Sequence, residues 1–260
     1  MKQYKLKTIL AIISFSFTVI FSSSCTGDYE DLNLHPTNPT EDDMTESEKL
    51  GNLFSTLIST IHFEQENDNQ HTEQFVGAQY GGYMVTTNNW QGTNFGTFNP
   101  SGDWVNIPFN NIMIYFNSNY AKIRKETEGK GPVYAWANIL RVATMLRVAD
   151  TYGPIPYSKI GEGGITVEYD SVEDAYHNMF TDLNNSIAFF TAYLADNPTG
   201  NPMGEFDPVY GGDFSKWLKF ANSLKLRMAV RIASVDTEFA KKAMQEAITA
   251  GVIETNAENA

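Results

Sequence analysis

The chain has 260 residues, 42% hydrophobic and 13% aromatic, with 31 acidic against 18 basic side chains and a formal net charge of −13. That length can bury a substantial core as one large domain or two small ones, and the composition excludes a disordered chain. A surface this acidic repels phosphate backbones, which excludes nucleic acid as a partner.

The leader comes first. Lys2, Lys5 and Lys7 form a basic stretch, and Thr8–Phe21 is an apolar run of 14 residues. A transmembrane helix needs about 20 residues, so residues 1–24 are expected to be a secretory signal peptide. Its removal leaves 15 basic and 31 acidic side chains, a net of −16. Ser22, Ser23 and Ser24 precede Cys25. This resembles the lipobox of bacterial lipoproteins, with serine where that motif usually carries leucine. A lone cysteine in an exported chain has no internal disulfide partner, so Cys25 is expected to be acylated and to tether the protein to a membrane. Asp28, Glu30 and Asp31 resemble the surface-export signal of Bacteroidetes lipoproteins. Residues 25–45 are polar, with Pro36 and Pro39, and are expected to form an extended linker to a body spanning 46–260.

Leu50, Leu53, Phe54, Leu57, Ile58 and Ile61 place apolar groups on one face of a first helix. A shorter helix is expected around Gln70–Tyr80. Between Gly77 and Trp104, glycine, asparagine and threonine are interleaved with Tyr80, Tyr83, Trp90, Phe95, Phe98 and Trp104. No stable helix fits there, and a long irregular segment is expected. Flat rings beside amides suit a sugar, whose C–H faces stack on aromatics while its hydroxyls reach amide groups. The candidate ligand residues are Tyr83, Trp90, Asn94, Phe95 and Trp104. The competing reading, which we favour on general grounds, is that the rings pin the loop to the core.

A helix is expected from Asn106, with Pro108 in its first turn and Phe109, Ile112, Phe116, Tyr120 and Ile123 on its buried face. The turn Gly129–Pro132 leads into the best-specified helix. Ala135, Ile139, Val142, Leu146 and Ala149 form a continuous stripe, widened by Trp136, Leu140 and Ala143, so most of its circumference should be buried. Gly153 supplies a C-cap, and Pro154 and Pro156 prevent continuation. Asp170 and Glu173 are spaced as a capping box for the next helix, whose stripe is Val172, Tyr176, Met179, Leu183, Ile187, Phe190 and Leu194. Asp213 is the expected N-cap of another, with Phe214, Trp217, Ala221, Leu224 and Met228 buried. Lys216, Lys219, Arg227 and Arg231 occupy its other faces and are expected to be solvated or paired. A last helix over Asp236–Ala250 closes on Gly251. Residues Glu254–Ala260 carry no helix-ending signal, which we read as a C-terminally truncated fragment.

Catalytic and metal motifs are not evident. His62 and Glu66 lie one helical turn apart but are read as an unliganded histidine and a surface acid. Glu66–Asn69 lacks the glycine and distal glutamate of a calcium loop. There is no G-x-S-x-G, no H-E-x-x-H and no cysteine near a histidine. The expectation is a protein without enzymatic activity, cofactor or metal.

Three separated features coincide: the lipobox-like Cys25 followed by acids, the helix ending in DTYGPIPYS (Asp150–Ser158), and YGGDFSKWLKFANSLKLRMAVRIA (Tyr210–Ala233). Together they resemble the SusD/RagB family of nutrient-binding outer-membrane lipoproteins of Bacteroidetes. The resemblance implies an all-α, tetratricopeptide-like stack of helical hairpins with long irregular loops. It also implies a lipid-anchored protein at the cell surface that binds an oligosaccharide or another small nutrient and delivers it to a TonB-dependent (SusC-like) outer-membrane transporter. Family ligand contacts come largely from loops, many of them C-terminal to residue 260. The alternatives are a helical scaffold that binds only a protein, and a hydrolase acting on the same polymers.

Overall fold

The computed structural model describes residues 43–61, 63, 66–88, 92–198 and 203–260. The signal peptide, Cys25 and the linker up to residue 42 lie outside the described residues, as do His62 and Trp90. From Glu46 to Ala260 the chain forms one compact unit. Its regular structure is helical, with only two isolated β-bridges among the described residues, Asn94–Asn99 and Ile155–Asp170.

Helix α1 spans Glu46–Ile61, and α2, Glu66–Asn69, runs on as a π-helical segment over Gln70–Ala78. Helix α3, Gly102–Asn111, passes through a second π segment, Ile112–Phe116, into α4, Asn117–Glu126. Then come α5 (Gly131–Tyr152), α6 (Val172–Asp196), α7 (Phe214–Ile232) and α8 (Thr237–Ala250). Successive helices pack as hairpins, α4 with α5, α5 with α6, α6 with α7 and α7 with α8, and α1 lies across α4 and α5. The stack of helical hairpins is the architecture expected.

Helix α5 is the hub, touching α1, α4, α6 and α7. Its buried set runs almost without a break from Ala135 to Ala149, which matches the broad apolar stripe in the sequence. Trp136 lies flat on Phe54 of α1, with ring centroids 4.1 Å apart and planes 11° from parallel. Gly153 ends the helix at φ 82°, donating its N–H to the Ala149 carbonyl. Gly51 of α1 sits under the Phe206 ring, which a Cβ there would meet at 2.3 Å. A side chain at that position would force the 203–206 loop off the helix.

The exit strap after α5 is held by side chains from α5 and α6. Tyr157 is 1% exposed; its hydroxyl donates to Asp182 Oδ2 at 2.6 Å, and its carbonyl accepts from Arg141 Nη2 at 2.6 Å. Burial pushes the Tyr157 hydroxyl well up from its ordinary range, so it stays a donor. These bonds give the DTYGPIPYS wording its structural sense: tyrosine at 157 closes a buried polar network over α5 and α6.

Two local expectations are corrected. The helix expected from Asn106 begins at Gly102, and Pro108 lies inside it rather than in its first turn. Trp104 drives this earlier start, because its ring stacks on Phe75 of the π segment at 5.1 Å. Tyr152 also donates to the Val105 carbonyl at 2.6 Å, which fixes the first turn. The capping box is displaced by one residue. Ser171 is the N-cap of α6, accepting from the Asp174 N–H, and Asp170 instead accepts the Tyr157 and Ser158 N–H groups at 2.8 and 2.7 Å. A carboxylate beside two orphan strap donors has a better use there than at the helix start. By contrast Asp213 caps α7, accepting from the Ser215 and Lys216 N–H groups, and α8 closes on Gly251 at φ 97°.

The residues after α8 fold back along α7. Ile253 donates its N–H to Ser223 Oγ at 2.8 Å, and Tyr210 donates to the Glu258 carbonyl at 2.8 Å. Lys219 pairs with the Glu258 carboxylate.

Candidate functional site

The aromatic segment and the π segment form one shoulder of the stack. Phe75 lies between two rings: Phe95 at 5.3 Å and Trp104 at 5.1 Å, both close to parallel. His71 meets the edges of Phe75 and Trp104. Phe95 is 2% exposed and Trp104 is half-buried. Two of the candidate ligand residues therefore anchor the loop. Asn94 sets the turn between them: its side chain accepts from the Thr97 N–H at 2.9 Å, and its carbonyl accepts from the Asn99 N–H at 3.1 Å.

That turn delivers Phe98 to the surface. Phe98 takes φ 56° and ψ 29°, a left-handed conformation uncommon for a bulky side chain. It is 76% exposed and stacks on Tyr80 with centroids 5.0 Å apart and planes 3° from parallel. Tyr83 is 88% exposed, with its N–H bonded to the Ala78 carbonyl at 2.8 Å after Gly82 at φ 75°. Met84 and Val85 follow, also exposed. The structure thus divides the aromatic residues into pins (Phe75, Phe95, Trp104) and outward faces (Tyr80, Tyr83, Phe98). Phe98 and Tyr80 were not among the candidates from sequence. Nothing in FGTF distinguishes its two phenylalanines; only the turn that Asn94 caps does.

A cleft of about 820 Å³ opens beside this shoulder, between the π segment, α5 and α7, and Tyr80 lines it too. Arg147 reaches Glu73 at 3.0 Å, Arg231 Nε lies 3.4 Å from Asp150, and Arg227 faces the same space. Desolvation and the neighbouring Arg227 charge hold Arg147 below its ordinary pKa, against the opposing pull of Glu73. The walls between these charges are apolar, with Ala143, Leu146 and Leu224 among them. No group of three or more histidine, cysteine or acidic side chains among the described residues is arranged to hold a metal ion. No described helix is long and apolar enough to cross a membrane.

A family model described as SusD-like, SusD and RagB outer membrane lipoprotein, matches residues 31–260. Among solved structures, a SusD homolog from Bacteroides uniformis is 38% identical, with a TM-score of 0.74 over 84% of this chain and 45% of its own. A SusD-like protein from Bacteroides thetaiotaomicron is 35% identical, with a TM-score of 0.74 over 80% of this chain and 43% of its own. A chitin-binding SusD homolog from Flavobacterium johnsoniae is 29% identical, with a TM-score of 0.76 over 81% of this chain and 45% of its own. The chain therefore spans less than half the length of these relatives. A search of curated proteins gave no match. The stacked helical hairpins, the extent of the family match and the likeness to these structures agree: the chain belongs to the SusD-like family of SusD and RagB outer-membrane lipoproteins.

Proposed function

We propose that this protein is a cell-surface lipoprotein, acylated at Cys25, that captures a glycan or similar small nutrient and hands it unchanged to a TonB-dependent, SusC-like transporter. The observation that carries the binding part is the Phe98–Tyr80 pair. A large apolar ring held outward in a left-handed backbone position has a conformational cost of roughly 1–2 kcal/mol and gains little from burial. Function is the physical reason to keep it there. Two parallel rings, one face open, match the C–H face of a pyranose. The chitin-binding relative supports a sugar as the ligand class. The transporter and the lipid anchor rest on membership of a family of outer-membrane lipoproteins.

Calorimetric titration of the protein against a panel of oligosaccharides tests this reading. Binding of at least one sugar, weakened about tenfold or more in Phe98→Ala, is the expected result, since one stacked base or ring is worth roughly 1–3 kcal/mol. Exposed Met84 and Val85, which follow Tyr83 in the chain, favour a second reading, a scaffold that docks only a protein. That reading predicts no sugar binding and retained capture of the transporter.

A further inference from the structure

We infer that the cleft between the π segment, α5 and α7 receives the anionic substituent of an acidic oligosaccharide, a carboxylate or a sulfate ester, with Arg227 as its partner. The inference rests on the glycan-binding reading and adds the chemical class of the sugar. The chain has five arginines, and three of them, Arg147, Arg227 and Arg231, line this one cleft. Glu73 neutralises Arg147 and Asp150 neutralises Arg231. Arg227 lines the cleft with no carboxylate partner among the described residues. The lining thus carries one positive charge in excess, on a chain whose net charge is −13.

An acidic sugar is repelled by the net negative charge of this chain and needs a local reversal of field to bind. A cleft with low-dielectric walls focuses such a field. Leu146, Leu224 and Phe220 give apolar walls against which a pyranose ring can lie, and they strengthen the attraction between Arg227 and an anion. The guanidinium is planar and presents paired donors, which matches a carboxylate or sulfate oxygen pair. At about 820 Å³ the space falls within the range of small-ligand sites, roughly 300–1,000 Å³. Tyr80 belongs both to this lining and to the stacked pair with Phe98. Tyr80 therefore links the open ring pair to the arginine-lined space.

The test titrates the protein against uronate-containing and sulfated oligosaccharides, each beside its own carboxyl-reduced or desulfated form. The expected result is that one charged form binds about tenfold or more tighter than its neutral counterpart. That advantage should shrink as salt is raised and should fall about tenfold in Arg227→Gln. Which pairs show it identifies the anion as carboxylate or sulfate. If neutral and charged members of every pair bind alike, the inference is overturned while the glycan-binding reading stands. If no member of any pair binds, and no neutral sugar does, both are overturned. A charge advantage that survives in Arg227→Gln overturns the assignment to this cleft.

Discussion

The Arg141 guanidinium lies 4.0 Å from the centre of the Tyr157 ring and 4.8 Å from that of Tyr120, so a buried cation is held between two aromatic faces. Its two terminal nitrogens reach Asp182 at 3.0 Å and the Tyr157 carbonyl at 2.6 Å. One side chain of α5 thereby joins α4, α6 and the exit strap. Arg141→Met is expected to cost about 3 kcal/mol, the lower end for breaking a buried pair, because Asp182 is 29% exposed and regains some water. Arg141→Lys keeps the charge but loses the planar fork, and more than about 1 kcal/mol should go with it. Urea unfolding midpoints measure both.

Asp170 gives a pH dependence. Burial raises its carboxyl, but hydrogen bonds from the Ser158 hydroxyl and the Ser158 and Tyr157 N–H groups outweigh that and hold it below its ordinary 3.8. A carboxyl depressed in the folded state contributes stability that is fully present above its unfolded pKa and is lost as pH falls through the folded value. The group is only partly buried, so the effect is modest. Asp170→Asn should lose about 1 kcal/mol at neutral pH. The gap to wild type should stay constant down to about pH 4 and close below it. Unfolding curves across that range check the sign.

Trp136 separates packing from polarity. Trp136→Ala removes the ring stacked on Phe54 at the centre of the core and should cost about 3–5 kcal/mol. The indole Nε1 is buried with no hydrogen-bond partner among the described residues. A buried donor left unpaired costs about 1–3 kcal/mol. Trp136→Phe deletes that donor and keeps a ring on Phe54, so its thermal midpoint should fall far less than that of the alanine variant.

Cys25→Ala tests the anchor. An acyl chain contributes about 0.8 kcal/mol per buried methylene, and no described helix substitutes for it. The variant should leave the membrane fraction for the soluble one, followed by fractionation and mass spectrometry of the N-terminal peptide. Membrane association without a bound acyl chain would contradict the assignment.

The helices of the hub and after it were legible because their stripes are long and periodic. Phe214, Trp217, Ala221 and Met228 are buried as their spacing requires, and the Asp213 cap stands where the sequence puts it. The start of α3 was not legible, since Gly102 has weak helix propensity and that turn is fixed by distant partners, the stacking of Trp104 on Phe75 and the Tyr152 hydroxyl on the Val105 carbonyl. Asp170 has the spacing of a cap, but its partners are strap N–H groups 12 and 13 residues earlier. At the site, composition found the aromatic segment but could not sort its rings. Phe95 and Phe98 differ in exposure, 2% against 76%, through a backbone angle that no residue type there signals. Arg231 was expected to be solvated or paired and does pair, with Asp150. Its convergence with Arg147 depends on how α5 and α7 pack, which local periodicity does not report.

Proton NMR of the best-binding oligosaccharide, with and without the protein, tests the open aromatic face most directly. Sugar C–H protons lying over the Phe98 ring should shift upfield in the complex, and Phe98→Gly should abolish the shift while leaving a folded protein, since glycine suits a backbone at φ 56°. Sugar binding with no upfield shift, or a shift that persists in Phe98→Gly, would show that the ligand sits elsewhere.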